Sequence, residues 1–472
     1  MNRQSLPSLS ALRLGQMIRD REVSPVEVIK TCLERIHSLD KRINSFMQVL
    51  DDNAISEAHK AQAEIMAGHW RGPLHGVPFA VKDLFDTAGV PATAGSKVWK
   101  DYTPVEDACV VKKLRDSGAV LVGKLNMYEL AFGVTSQNPY YGPTLNPWDL
   151  TRMCGGSSSG SAAALVAGFV PLTLGTDTGG SIRIPSSLCG TVGLKPTYGL
   201  VSRRGVLPLA WSLDHVGPMT RQVEDIALSL GVIAGHDSQD VASAHPKAED
   251  YPGHLEGDLS GMVVGLPTTY FYENLRQDVK EAVLKAIKGL ETLGARVREI
   301  EIPEIIEADR AAYTVLFCEA ASSLEIHARN RPHHVSEEIM SNVRLGMSIP
   351  ATRYIHALRT RTKLIGVLSE VFSHVDLLVV PATTVDAPPI ESKEVSIGPD
   401  QILDLRSALT RFTRYFNIAG NPVLCVPSGF SGNHLPVGMQ IVGRPFEEAT
   451  LLKAGHLFQK AFPLDPPMPV ME

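Results

Sequence analysis

The stretch 175-GTDTGGSIR-183 sets a serine, Ser181, directly after Thr178, Gly179 and Gly180. Small residues let a chain turn sharply. Several backbone N–H groups could therefore converge beside the Ser181 hydroxyl, as an oxyanion hole requires. A serine attacks only when something takes its proton, and no histidine stands near it in sequence. Two other groups could form a proton path. Ser157, in the loop 155-GGSSSGS-161, could relay a proton, because a hydroxyl both donates and accepts. Lys82, ending the apolar run in 76-GVPFAVKD-83, could be the terminal base if buried and neutral, since desolvation lowers a lysine's pKa. The chemistry of such a trio is acyl transfer. Residue types alone leave the plainer reading open: a solvated strand-end lysine and a loop that is only a loop.

Competing motifs fail on their own requirements. A P-loop needs a lysine after its glycines, but here Ser181, Ile182 and Arg183 follow, and no G-x-G-x-x-G is present. Residues 156-GSSSG-160 match the nucleophile elbow G-x-S-x-G around Ser158. That elbow requires a strand immediately before it, and 146-NPWDLTRMCG-155 reads as polar and turn-like. The 15 histidines include no H-x-H or HExxH pair, and the adjacent His333 and His334 read as surface residues. Neither a metal nor a cofactor is expected.

The elements that must position the trio alternate between helix and strand. In 24-SPVEVIKTCLERIHSLD-40, Ser24 and Glu27 form a capping box, Pro25 suits the first helical position, and Ile29, Cys32, Leu33 and Ile36 share a face. The segment 107-DACVVKKLRDSG-118 predicts a helix capped by its aspartate, and 119-AVLVGK-124 a strand. An apolar helix over about 161–169 and a short strand ending near Gly175 come next. Further alternation runs through 261-GMVVGLP-267, 278-DVKEAVLKAIKGLETLG-294, 295-ARVREIEIP-303, 376-DLLVVP-381, 423-VLCVP-427, 438-GMQIVG-443 and 447-EEATLLKAGHLFQKAF-462. Such alternation implies a layered α/β fold. The polar stretch 236–258 reads as a connecting loop.

Composition limits the function classes. With 44% hydrophobic and 20% charged residues, the 472-residue chain is ordinary for a globular protein. A net charge of −6 without basic clusters gives no footprint for nucleic acid or an anionic membrane. The six cysteines are spread without a CxxC pair and read as reduced core thiols. No secretory leader is recognisable, and 162–175 is too short and too broken to span a bilayer. A cytoplasmic protein is expected.

The sequence resembles the amidase signature family of serine hydrolases, which use a Ser–cis-Ser–Lys triad. The resemblance rests on residues 155–205, supported by 76-GVPFAVKDLFDTAG-89, 118-GAVLVGKLNMYELAFG-133 and 437-VGMQIVGRPFEEATLL-452. It implies a single domain over 1–472, with a mixed central β-sheet sandwiched between layers of α-helices. Within it, 1–70 would be an N-terminal helical part, 75–220 the catalytic core, 240–400 a variable specificity region, and 405–472 a C-terminal part returning to the sheet. Residue by residue, it implies that Ser181 is the acylated nucleophile, Ser157 the relay after a cis peptide, and Lys82 the base. The N–H groups of Thr178, Gly179, Gly180 and Ser181 would form the oxyanion hole, with Asp177 and Arg183 as buried structural partners. One departure stands out: Ser159 occupies a position where the family commonly has glycine, and a positive φ there would suit serine poorly. Strand alternation sends Asp83 away from Lys82.

For the substrate, the resemblance points to Ala131, Phe132 and Val134 as pocket lining, with Tyr313, Phe317, Met340 and Met347 hinting at apolar tolerance. The expected activity is a stand-alone amidase acting on a small-molecule amide, ester or carbamate. No nucleic-acid or membrane partner is expected, and a homodimer is allowed. The alternative is the glutaminase subunit of a tRNA-dependent amidotransferase, which shares the triad and delivers ammonia to an aminoacylated tRNA. Those subunits carry an acidic residue before an N-x-A-G block, where 409-LTRFTRYFNIAGNP-422 has Thr413 and Arg414. That difference favours the stand-alone reading.

Overall fold

The computed structural model describes residues 3–466, 468 and 469. Eleven strands build one mixed sheet that draws on most of the chain. The first half supplies β1 (Phe46–Val49), β2 (Pro78–Lys82) and β3 (Val120–Leu125), then a short hairpin of β4 (Leu145–Asn146) and β5 (Asp149–Met153). Next come β6 (Leu172–Asp177), β7 (Val192–Lys195) and β8 (His215–Thr220). The second half supplies β9 (Val263–Pro267), β10 (Arg296–Ile300) and β11 (Leu377–Pro381). A second hairpin, β12 (Glu394–Gly398) with β13 (Gln401–Asp404), precedes β14 (Val423–Phe430) and β15 (Pro436–Val442). The order in the sheet is β1-β3-β2-β6-β8-β7-β14-β15-β11-β9-β10, with helices flanking it, as the α/β reading requires.

Parallel pairing joins β2 to both β3 and β6, so Lys82 and Asp177 both stand at carboxyl ends of neighbouring parallel strands. Crevices outside such ends are where open α/β sheets place ligands. Every residue of β2, β6 and β8 is buried, and β2 accordingly reads as an apolar run up to Lys82 rather than an alternating one. The helix Ser159–Val166 (SGSAAALV) is wholly buried against this part of the sheet. Its small side chains permit that approach. A Cβ on Gly160 would come within 2.6 Å of Asn126 N, so only glycine fits.

Several elements follow the sequence reading closely. The first long helix covers Pro25–Ile43, and Ser24 Oγ accepts the Glu27 N–H at 3.1 Å. The helix expected at 107–118 forms over Cys109–Asp116, but its cap is Ala108 without a side-chain bond. Asp107 instead pairs with Arg115 at 2.8 Å and accepts the Ala88 N–H. The segment before the Gly/Ser loop is not a bare turn, since it contains the β4–β5 hairpin. The sequence reading assigned no elements between 305 and 374, where three helices form: Ile305–Asn330, Glu337–Ser348 and Ala351–His374. The last of these buries only Ala357, Leu364, Leu368 and Phe372, a stripe too thin to signal helix by periodicity. Among the described residues, no helix is long and apolar enough to cross a membrane.

Candidate active site

Lys82 closes β2 with its side chain fully buried. Its Nζ donates to Ser157 Oγ at 2.7 Å and to Thr176 Oγ1 at 2.8 Å. Burial lowers its pKa from the ordinary value to about 7, against the opposing pull of Asp177 and Asp214. Thus a substantial share of this lysine is neutral near neutrality. The Asp83 carboxylate faces away, taking the Thr93 N–H at 2.9 Å and standing 3.6 Å from Lys124 Nζ.

Ser157 follows a cis peptide bond with Gly156, in the place where the resemblance implies one. Its carbonyl accepts the Tyr128 N–H at 3.1 Å, which ties the Gly/Ser loop to the segment leading to Phe132. The helix begins at Ser159, and that residue has no positive φ, so serine there carries no penalty. Ser158, the elbow decoy, is buried and points its hydroxyl at the Thr176 carbonyl, 3.3 Å away. It has no access to a substrate.

Ser181 begins where the strand β6 has just turned. The Ser158 N–H donates to the Ser181 carbonyl at 3.3 Å, which sets the two serine loops side by side. Among the described residues, Ser181 Oγ makes no hydrogen bond, and the direct Ser157–Ser181 contact that a relay needs is not formed in this conformation. Catalytic hydrogen bonds commonly tighten only when substrate binds.

The turn itself is held from within. Asp177 Oδ1 accepts the Gly180 N–H at 2.8 Å, and Oδ2 accepts the Ile182 N–H at 3.1 Å. Arg183 grips the same carboxylate through Nε and Nη2, each at 2.9 Å. Burial alone would raise the Asp177 pKa. The Arg183 guanidinium and the Asn417 amide outweigh it and hold the carboxyl well below the usual range. Asn417 Nδ2 donates to Asp177 Oδ1 at 2.8 Å, and Thr413 Oγ1 donates to the Gly179 carbonyl at 2.6 Å. Gly180, at φ 129°, adopts a backbone conformation that favours glycine. Of the four N–H groups expected in an oxyanion hole, Gly180's is thus committed to Asp177. Those of Thr178, Gly179 and Ser181 have no partner among the described residues.

In front of Ser181 lies a narrow cleft. Ala131, Phe132 and Val134 line it, as the resemblance implies, together with Tyr313 and Phe317. Phe132 is at the same time core, packed 5.1 Å from the Phe317 ring. Leu130 and Ala131 adopt positive φ angles of 52° and 57° as the chain bends around the cleft. Met347 is more than half exposed and, like Met340, is not part of this wall. Sequence reasoning missed Thr176, Thr410 and Arg406, and it weighed Thr413 and the block opening at Asn417 only as marks of a subunit, not as parts of the site. All but Thr176 come from segments more than 200 residues downstream.

Comparison with known proteins adds a second line. The family model described as Amidase matches residues 27–452. The A subunit of the glutamyl-tRNA(Gln) amidotransferase of Carboxydothermus hydrogenoformans is 40% identical, covering 96% of this chain and 97% of its own. Its counterpart from Chloroflexus aurantiacus is 40% identical over 93% of each chain. Among solved structures, a chain from a vestigial complex bearing on the origins of an s-triazine catabolic enzyme superposes with a TM-score of 0.92. It is 33% identical and covers 96% of this chain and 99% of its own. The Thermotoga maritima glutamyl-tRNA(Gln) amidotransferase A subunit gives a TM-score of 0.80 at 34% identity, covering 97% and 96%.

These relatives correct one expectation. The stand-alone reading, with a small-molecule substrate and no nucleic-acid partner, rested on the absence of a carboxylate at two positions, Thr413 and Arg414. Full-length similarity to amidotransferase subunits disfavours it. A difference at two positions tunes a pocket; it does not outweigh a likeness spread over the whole chain.

Proposed function

The chain belongs to the amidase family, as an amidase signature hydrolase acting on C–N bonds, and from that premise we propose that it is the amide-hydrolysing subunit of a tRNA-dependent amidotransferase. Its task is to split an amide donor such as glutamine and release ammonia for transfer to an aminoacylated tRNA. The observation that carries this reading is the 40% identity, over nearly the full length, to the A subunit of a glutamyl-tRNA(Gln) amidotransferase. A chain of net charge −6 is poorly suited to hold a polyanion by itself. Contact with tRNA therefore falls to partner subunits.

The mechanism uses the buried trio. Neutral Lys82 takes a proton from Ser157 as Ser157 takes one from Ser181, and Ser181 Oγ bonds to the amide carbonyl carbon. Charge on the carbonyl oxygen is stabilised by the uncommitted N–H groups of Thr178, Gly179 and Ser181. The C–N bond then breaks while the proton on Lys82 returns through Ser157 to the departing nitrogen. Water attacks the acyl ester by the same proton path, releasing the acid and restoring Ser181. The 2.7 Å Lys82–Ser157 bond supports these roles, as does the lowered pKa of Lys82.

The test is to purify the chain alone and again with the other subunits of such an amidotransferase, and to measure two products: ammonia from glutamine, and amidated aminoacyl-tRNA. Amidation of the tRNA only by the assembly, and its loss in Ser181→Ala, is the expected result. If the assembly never amidates tRNA while the lone chain hydrolyses amides at full rate, the proposal is wrong.

A further inference from the structure

Strand β6 runs antiparallel to β8, and their register ends on Asp177 opposite His215. One step beyond, where the turn leaves the sheet, Thr178 meets Asp214, and its hydroxyl donates to Asp214 Oδ1 at 2.6 Å. Asp214 Oδ2 accepts the N–H groups of Leu209 and Ala210 at 2.9 and 3.1 Å, so one carboxylate closes its own loop and holds the turn. That loop is pinned again by Glu319 of the helix Ile305–Asn330, which accepts the Ser212 N–H at 2.9 Å and its hydroxyl at 2.7 Å.

The other parts of the turn have holds of their own. Asp177 takes the Gly180 and Ile182 N–H groups, Thr413 the Gly179 carbonyl, and Asn417 the Asp177 carbonyl at 3.0 Å. The peptide joining Thr178 to Gly179 runs into two glycines, whose freedom would let its N–H swing. A Cβ on Gly179 would meet nothing closer than 3.6 Å, so packing does not fix that peptide. The Thr178 side chain is its remaining anchor. Asp214 also acts through charge. It lines one cavity with Thr176, the second acceptor of Lys82 Nζ, and its charge opposes the effect of burial on that lysine, as does that of Asp177. Asp177 is gripped by Arg183, whereas Asp214 forms no ion pair among the described residues. The titratable groups facing it are Lys82, Tyr198 and Arg203, and Arg203 pairs with Asp240 at 3.5 Å.

We propose that Asp214 is a positioning residue for the acyl transfer: through the Thr178 hydroxyl it aims the Thr178 and Gly179 N–H groups at the substrate's carbonyl oxygen, and its charge steadies the ammonium that forms on Lys82. The inference rests on the reading of Ser181 as the acylated residue. Asp214 itself touches neither the substrate nor the proton path. Donors fixed in advance stabilise a developing oxyanion without reorganising, which is why the anchor of a glycine-rich turn bears on rate.

The test uses Asp214→Asn in the assembled protein. A side-chain amide has one oxygen, which can serve the two loop N–H groups or the Thr178 hydroxyl, so the loop stays closed while the turn loses its hold. For ammonia release from glutamine, kcat should fall about 10–100-fold while KM changes less than about threefold, the pattern of donors misplaced in the transition state. The acid limb of the kcat/KM profile should also move to lower pH, because removing a negative charge makes the Lys82 ammonium easier to deprotonate. Thr178→Val keeps that charge; it should lower kcat to a similar extent and leave the limb in place. The double variant should lose no more than about threefold beyond the worse single one, as expected of two residues acting through one contact. A kcat within about threefold of wild type for Asp214→Asn, an unmoved limb, or losses that multiply in the double variant overturns the inference. Labelling of Ser181 by a fluorophosphonate repeats the comparison without an amide: the Oγ–P bond forms, fluoride leaves, and the proton passes through Ser157 to Lys82. If the assembly releases no ammonia from glutamine yet labelling shows the same losses and the same shifted limb, the functional proposal fails and this one stands.

Discussion

Lys82 Nζ lies 2.7 Å from Ser157 Oγ although 75 residues separate them in the chain. Both are fully buried, and the lysine's second acceptor is another hydroxyl, Thr176 Oγ1. A lysine in these surroundings can shed its proton near neutral pH, and that property yields the first prediction.

Activity should follow the neutral form of Lys82. Burial lowers its pKa to about 7, so protonation removes the base as pH falls through that value. A plot of log kcat/KM should climb with unit slope below pH about 7 and level off above it, far short of the ~10.4 of an ordinary lysine. Lys82→Met should lose about 10²–10⁴-fold in rate, the usual contribution of a general base, and with it the acid limb. A profile that keeps climbing past pH 10 would falsify a neutral Lys82.

Thr176→Val keeps the shape of the side chain and deletes an acceptor of the Lys82 Nζ. The ammonium loses more than the neutral amine does, so the acid limb should move to lower pH. The kcat should also fall as the amine loses its fixed direction. A pH–rate series on the variant reads both effects, and an unmoved limb would mean that the hydroxyl has no influence on the base.

Gly180→Ala should damage stability and activity together. The residue has φ 129°, and the new Cβ would lie 2.6 Å from Thr413 Oγ1 and 2.8 Å from Ile184 Cδ1. Such strain costs ~1–3 kcal/mol. Gly231→Ala is the control: it lies inside the helix Val223–Ile233, where an added Cβ meets nothing. There the substitution should add ~0.4–1 kcal/mol of stability without touching the rate. Urea unfolding midpoints compare the two, and similar behaviour of both variants would refute the role given to the turn.

Asp177→Asn should break the buried pair that anchors the turn. It leaves the Arg183 guanidinium, itself fully buried, without its anion, a change that typically costs ~3–5 kcal/mol. The sign with pH is set by the depressed Asp177 pKa. The pair's contribution is present above the unfolded value near pH 4 and is lost only as pH falls through the lower folded value. The stability gap between wild type and variant should therefore be steady from pH 5 to 8 and narrow in strong acid. A gap that widens on acidification would count against this account.

Much of the site was legible in the chain, and the reason is local. The Ser181 turn and the Gly/Ser loop are each continuous segments whose glycines and hydroxyls declare a tight, polar backbone. The apolar run ending at Lys82 and the short strand expected to end near Gly175 marked two buried strands. The sequence also prompted the comparison with amidase signature enzymes that supplied their pairing. What the sequence could not carry was distance. Parallel pairing of β2 with β6 brings Lys82 beside Thr176 and Ser157, and no local pattern encodes which strands will be neighbours. The same holds for Arg406, Thr413, Arg414 and Asn417, which reach the turn from the far end of the chain. Residue types and short-range spacing determine which groups could do chemistry. Only the tertiary structure, by burying Lys82 and crowding hydroxyls, amides and guanidinium groups around one turn, decides which of them do.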